Sequence, residues 1–283
     1  MKIKNIFLIS VFLVAMLACG TLGVPASEPI TPPIFTQPIP TNALTFTAIP
    51  TFTSVAGTDI SPAPLLSQAV TMQSSPFDES GSAPVYTITA QIPSLQGSDD
   101  PRVSTFNARL HQIAQDQIDQ FRNDVLSFAS NPPISAGSFF DLQYSVIGQR
   151  GDFWSIKFDI SFYSDGAAHP AHNSLTLNYD LEAAREVTLS ALFLPDSNYL
   201  EVISEHCKEQ LFNRDIAFDG FSQGADPLPE NFQRWNLSNA GLVITFDEYQ
   251  VAPYAAGPQV VVIPLPELQG IIASPGVLDV FVQ

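Results

Sequence analysis

Basic residues are scarce in this sequence. Eleven lysines and arginines stand against 28 aspartates and glutamates in 283 residues, a formal net charge of −17. That balance repels phosphate backbones, so it argues against nucleic-acid binding and against broad electrostatic adhesion to anionic lipid or wall polymer. It favours solubility, or a basic partner. Cysteine is scarcer still, at two residues, Cys19 and Cys207. No HExxH metal motif, G-x-S-x-G nucleophile elbow or phosphate-cradling glycine loop is read. No catalytic signature is read, and neither an enzyme nor a cofactor is expected.

What is present begins at the N-terminus. Lys2 and Lys4 precede an apolar run over residues 6–18, broken only by Ser10. This is the charged start and apolar middle of a secretory signal, too short for a membrane span of about 20 residues. The run ends in Met16-Leu17-Ala18-Cys19-Gly20, which resembles the lipobox of bacterial lipoproteins. Met16 stands where that family prefers leucine, and Leu17 where it prefers a small residue. The resemblance implies cleavage after residue 18, lipidation of Cys19, and a cell-membrane anchor facing outside the cytoplasm. An ordinary cleaved signal with an incidental cysteine is the alternative. With Cys19 lipidated, Cys207 has no partner for a disulfide, and a buried thiol on an apolar helix face is expected. Loss of Lys2 and Lys4 takes the charge from −17 to −19.

Residues 19–83 differ in composition from the rest. Ten of the 24 prolines lie between 20 and 83, among threonine, serine and alanine, with no lysine or arginine. Such a segment buries too little surface to offset its chain entropy, so a disordered linker is expected, extended by about 3 Å per residue where polyproline-like.

Residues 84–283 carry the patterns of a folded domain. Residues 85–92 alternate as a strand. Asp100 and Pro101 open a helix whose apolar face runs from Val103 and Phe106 through Leu110, Ile113, Ile118 and Phe121 to Val125 and Phe128. Segments 139–147 and 153–163 read as a hairpin joined at Gly148-Gln149-Arg150-Gly151-Asp152, with Trp154, Ile156, Phe158, Ile160 and Phe162 sharing one face. Further strands are expected at 174–179, 187–189, 235–237, 242–246, 260–263 and 277–282. A second helix is expected at 197–214, and a short one from Pro266. The order predicts an α+β fold, with antiparallel sheet packed by one long and one shorter helix. The expected divisions are 1–18, 19–83, a first module at 84–182 and a second at 183–283.

Two loops hold the distinctive chemistry. Asp165-Gly166-Ala167-Ala168-His169-Pro170-Ala171-His172 is a turn with two of the four histidines. Residues 246–268 pass from a strand through a loop with Tyr249 and Tyr254 and back into a strand. His169 and His172, with Asp165 nearby, suggest a metal, but glycine and proline make a turn rather than a helical ligand face, and no metal is expected. The competing role for His169 is a hydrogen bond to turn backbone, with His172 solvated. Tyr249 and Tyr254 are candidates for a recognition surface, or for packing their loop onto its own sheet. The Arg150-Gly151-Asp152 triplet reads as turn chemistry rather than an adhesion motif. Glu205, His206 and Cys207 are sequential on a helix and diverge by about 100°, so they make no nucleophile pair.

With these residues in place, the domain resembles the extracytoplasmic module pair found in RsiV-type anti-sigma factors and in the non-catalytic region of PdaC-type peptidoglycan deacetylases. The first module covers about 84–181, with the long helix and the Gly166–Pro170 turn. The second covers about 184–270, with Val187-Thr188-Leu189-Ser190-Ala191-Leu192-Phe193 and Tyr249-Gln250-Val251-Ala252-Pro253-Tyr254-Ala255-Ala256-Gly257-Pro258. With five residues before the apolar run, neither the sigma-binding segment of an anti-sigma factor nor a deacetylase domain is expected. The resemblance implies an outward-facing binding or sensing module. The implied partner is a basic protein such as lysozyme, or peptidoglycan fragments, with the candidate surface at His169, His172, Tyr249 and Tyr254. A small wall-modifying hydrolase using the histidine turn is the alternative.

Overall fold

The computed structural model describes residues 65–128, 133–278 and 281 of the chain. The expected signal peptide, the expected lipidation site Cys19 and the expected linker as far as residue 64 lie outside the described residues. No helix of the described residues is long and apolar enough to cross a membrane.

The long helix α1, Pro101–Phe128, forms where the sequence predicts it. Asp100 accepts the Arg102 backbone N–H at 2.8 Å and pairs with the Arg102 guanidinium at 2.8 Å, which satisfies one of the helix's open donors. The guanidinium holds the Asp100 carboxyl down at about 2. Phe106, Leu110 and Ile118 are completely buried. They share a core with Ile88, Leu142, Ile156, Phe158 and Leu177 of a six-stranded sheet.

That sheet runs β1 (Thr71–Ser82), β2 (Val85–Gln96), β3 (Ser138–Arg150), β4 (Phe153–Tyr163), β5 (Ala171–Asp180) and β6 (Arg185–Glu186), in chain order. The α+β expectation holds, with one difference: β2 and β3 are parallel. The cause is α1, which carries the chain back along the sheet so that β3 enters in the direction of β2.

A larger correction concerns the linker, which was expected to reach residue 83. Residues 71–82 are not linker; they are β1, paired antiparallel with β2 from Thr71↔Gln96 to Ser82↔Val85. The strand is mostly exposed and polar, so its order comes from backbone pairing, and composition does not reveal it. Glu79 fastens β1 to the helix through Arg122 at 2.6 Å and also accepts the Tyr86 hydroxyl at 2.8 Å. The Arg122 bond, then the Tyr86 bond, pull the Glu79 carboxyl from 4.5 to about 2. A depressed carboxyl stabilises the fold above its unfolded pKa and loses that contribution as pH falls through its folded value. Glu79→Gln should therefore melt below the unsubstituted chain at neutral pH. The gap should narrow between pH 4.5 and about 2; a gap independent of pH in thermal melts contradicts this assignment.

After β6, the expected strand at 187–189 is instead extended chain leading into the short 3-10 helix Leu189–Leu192. Helix α2, Tyr199–Phe212, buries Ile203, Cys207 and Leu211. A second sheet follows, ordered β7 (Trp235–Ser238), β8 (Gly241–Phe246) and β9 (Gln259–Ile263), all antiparallel. Gln210 and Arg214 close the outer side of β9 by donating to the carbonyls of Val262, at 2.9 Å, and Val260, at 2.8 Å. Beyond the 3-10 helix Leu265–Leu268, the expected strand at 277–282 is not found in what is described. Val277 and Leu278 lie in a turn, and residues 279, 280 and 282 are outside the described residues.

The two sheets meet where β7 crosses β3, β4 and β5. The contact is polar at its centre. The buried Ser155 Oγ donates to Asn178 Oδ1 at 2.7 Å and accepts from Asn236 Nδ2 at 2.9 Å and from the Leu237 N–H at 3.0 Å. Asn178 Nδ2 donates to the Trp235 carbonyl at 2.8 Å. Fully buried polar groups cost little only when partnered, so this network fixes where β7 can sit. Gly148 stands beside it at a register irregularity of β3.

Candidate functional site

The side of the six-stranded sheet facing away from α1 is polar. Cross-strand pairing places Asp141 opposite Ser161 and Gln143 opposite Asp159, then Asp159 opposite Ser174 and Ser161 opposite His172. These residues alternate with the core-facing Phe140, Leu142, Phe158 and Ile160 and so share the outer face. The second sheet covers this face at the Ser155 end. At the other end the loop between β8 and β9 folds over it.

Four contacts latch that loop. Glu248 Oε1 accepts from His172 Nδ1 at 2.7 Å, and its Oε2 accepts the His172 backbone N–H at 3.2 Å. Asp247 Oδ1 accepts the Ser174 N–H at 3.1 Å. Arg234 Nε stands 2.6 Å from Asp247 Oδ2 but directs its N–H to the Ser174 carbonyl, at 2.8 Å. This last contact to Asp247 is thus an ion pair, and Oδ2 accepts no hydrogen bond. Burial raises the Asp247 pKa, against the pull of Arg234, Ser174 and Lys157. From below, Gln250 Nε2 donates to the Gly224 and Asn231 carbonyls, each at 3.0 Å.

Between loop and sheet remains a cleft of about 510 Å³. Its floor holds Asp141, Gln143, Lys157, Asp159 and Ser161, and its far wall is Glu248, Tyr254 and residues 255–258. Lys157 Nζ is 2.6 Å from Asp159 Oδ1. Glu248 is 8% exposed although it faces this cleft, while His172 is 45% exposed.

Of the four sequence-expected site residues, His172 and Tyr254 line the cleft, while His169 and Tyr249 pack against Tyr254 beside it. The His169 ring stacks on Tyr254 with centroids 3.9 Å apart, and its Nε2 lies 3.4 Å from the Tyr249 hydroxyl. Its Nδ1 is 2.8 Å from the Pro170 carbonyl, the expected turn bond. The Tyr254 hydroxyl donates to the same carbonyl at 2.9 Å, and Tyr249 and Tyr254 lie 5.8 Å apart. Partial burial, then Glu248 and Tyr249, raise the Tyr254 pKa. His172, expected to be solvated as an alternative to metal binding, is exposed to solvent and also pairs with Glu248. Asp165 turns away from both histidines. Its carboxylate accepts from Ser135 Oγ at 2.5 Å and the Ile134 N–H at 2.7 Å, and these donors, the hydroxyl first, lower its pKa. Among the described residues no group of three or more histidines, cysteines and carboxylates stands together as a metal site.

Tyr249 adopts φ +65° while its side chain is 56% exposed. A bulky residue in the left-handed region is strained by about 1–3 kcal/mol, and such residues concentrate at functional sites. Asparagine tolerates that region. Tyr249→Asn is expected to raise the melting temperature by about 2–4 °C, for relief of about 1 kcal/mol of that strain; a fall in melting temperature contradicts the strain.

Other motifs resolve into structure. Cys207 is completely buried, and burial pushes its thiol up to about 12, so it is inert. The neighbouring His206 pairs outward with Glu267 at 3.0 Å. Asp152 of the Arg-Gly-Asp triplet accepts the Leu66 and Ser67 N–H groups at 3.1 and 2.7 Å, fixing where the chain enters the fold. The expected absence of G-x-S-x-G needs correction at the level of letters, because Gly220-Phe221-Ser222-Gln223-Gly224 matches that spacing. An elbow needs strand, turn and helix; here the run spans two short 3-10 helices, Phe218–Gly220 and Ser222–Ala225. Gly224 is required for packing, since a Cβ there would lie 1.8 Å from the Gln250 carbonyl oxygen.

Residues 190–265 match the family model described as protein of unknown function, DUF3298. That segment contains α2, the second sheet and the whole cleft-forming loop. Among curated proteins, the chain is similar to peptidoglycan-N-acetylmuramic acid deacetylase PdaC of Bacillus subtilis (strain 168), with 26% identity over 160 residues. The match covers 56% of this chain and 34% of PdaC, so the chain spans about a third of that relative. The fold is shared with two solved structures. One is a DUF3298 member from Bacteroides fragilis, with a TM-score of 0.58, 16% identity, and coverage of 75% of this chain and 97% of that one. The other is a DUF3298 protein from Pseudomonas aeruginosa PAO1, with a TM-score of 0.53, 18% identity, and coverage of 72% and 95%.

Proposed function

We propose that this chain is a lipid-anchored recognition module of the bacterial envelope. Cys19 holds it on the membrane, residues 19–64 supply reach, and the folded part faces outward. Its ligand is a wall component or a basic protein such as lysozyme, bound in the cleft under the 247–258 loop. The observation that carries this reading is the cleft itself. A loop fastened by His172, Ser174 and Arg234 stands over a polar sheet face and leaves about 510 Å³ open between them. Preformed concavities with a few converging polar groups are where proteins hold ligands. Similarity to PdaC, whose name places it on peptidoglycan, supports a wall ligand. The resemblance to the RsiV and PdaC modules and the net charge of −17 support a basic protein partner. Recognition here is by surface complementarity, without a chemical step.

Calorimetric titration of the full-length chain with lysozyme and with soluble peptidoglycan fragments, at low and moderate salt, tests the reading. Binding of one of them, weakened by salt in the case of lysozyme, is the expected result. No heat and no shift in melting temperature with either removes the recognition reading. The anchor is tested separately. Labelled palmitate should enter the chain and not its Cys19→Ala variant; equal labelling of both removes the lipid assignment.

A further inference from the structure

We propose that the cleft takes a saccharide carrying a free, positively charged amino group. The inference rests on the reading of the cleft as a recognition site and names the chemical class of its ligand.

The argument begins with charge. Three carboxylates line the cleft, Asp141, Asp159 and Glu248, against one lysine, Lys157. Lys157 is already committed to Asp159 at 2.6 Å, and Glu248 holds His172. Asp141 differs from the other two. Thr89 Oγ1 donates to it at 2.6 Å and Gln143 Nε2 at 3.0 Å, both neutral, and among the described residues no cation is within ion-pair reach of it. An anionic saccharide would meet an uncompensated negative wall, and a neutral one would leave that charge unused. An ammonium group placed beside Asp141 forms a charge-assisted hydrogen bond.

Shape and polarity then distinguish a sugar from a simple amine. The floor is a rank of side chains at alternate strand positions, with the amide of Gln143 and the hydroxyl of Ser161 beside the carboxylates. Such a rank offers donors and acceptors along two directions, which suits several hydroxyls on one ring better than a single headgroup. Tyr254 stands on the opposite wall, with its hydroxyl held by the Pro170 carbonyl. His169 covers one face of this ring; the C–H side of a pyranose would pack on the other, and an adjacent cation would gain from the same ring. The volume of about 510 Å³ lies within the range of sites that enclose small ligands.

The test is titration of the full-length chain with β-1,4-linked glucosamine trisaccharide and with its N-acetylated counterpart, at a pH that keeps the amines charged. The expected result is binding of the amine form about tenfold tighter, one charge-assisted bond being worth about 1.4 kcal/mol or more. Added salt should weaken it. Asp141→Asn should remove most of that preference without altering the melting temperature, since its two neutral donors remain. Equal binding of both trisaccharides overturns the ammonium assignment. Binding of lysozyme or peptidoglycan fragments but of neither trisaccharide overturns the saccharide inference and leaves the recognition reading standing. Failure of all four ligands removes both.

Discussion

A chain that starts at residue 84 is expected to melt roughly 8–16 °C below one that starts at residue 65. The composition of residues 71–82 marks them as linker, yet they form an edge strand along the full length of β2. Cutting there removes Val70, which is 7% exposed and part of the α1 core, and the partial cover given by Met72 and Phe77. Val70 alone is worth about 1.5–3 kcal/mol. Arg122 loses Glu79, its bidentate partner, and about 1 kcal/mol with it. The total, about 4 kcal/mol, corresponds to roughly 8–16 °C in a domain of this size. The cut also bares the β2 edge, a template for association, so the shorter chain should aggregate on heating. Equal melting temperatures would show that β1 contributes nothing.

Gly148→Val is the second large effect. A Cβ at that position would lie 2.2 Å from the Leu237 carbonyl oxygen and 3.1 Å from its carbon. The obstacle is backbone, and it cannot retreat freely because Ser155 Oγ accepts the Leu237 N–H and Asn236 Nδ2 donates to the Ile156 carbonyl at 3.1 Å. Relief requires β7 to lift from the first sheet and the buried network to break. A loss of about 3 kcal/mol is expected, seen as a fall of roughly 6–12 °C. Gly220→Ala is the control, because nothing lies within 4 Å of a Cβ there, and it should shift melting by less than about 0.5 kcal/mol. Similar effects from both would mean that the sheets are not held in this register.

Much of this architecture is legible in the sequence, for reasons that differ by element. The apolar face of α1 repeats at helical spacing, and Asp100-Pro101 mark its start, so local pattern and tertiary role agree. The histidine turn and the tyrosine loop can be paired as distinctive chemistry, and His169 does stack on Tyr254. Strand β1 is illegible because its order comes from pairing with β2 rather than from apolar alternation. The parallel register of β2 and β3 depends on the path of α1, which no local pattern encodes. Within the site, Asp141 and Asp159 look like ordinary surface residues; only cross-strand register brings them under a loop roughly 90–115 residues later. Glu248 escapes for the same reason, since its partner His172 is 76 positions away. The G-x-S-x-G letters at 220–224 show the converse. They match a spacing while the strand and helix that give it meaning are absent.

The most direct test of the cleft as the recognition site is hydrogen–deuterium exchange of the full-length chain with and without a bound peptidoglycan digest. Protection is expected in 157–161, 171–176 and 247–258, the strands and loop that enclose the cleft. α1 and α2 should remain unchanged. Protection confined to the helices, with the cleft segments exchanging as in the free chain, would place recognition elsewhere and contradict this account.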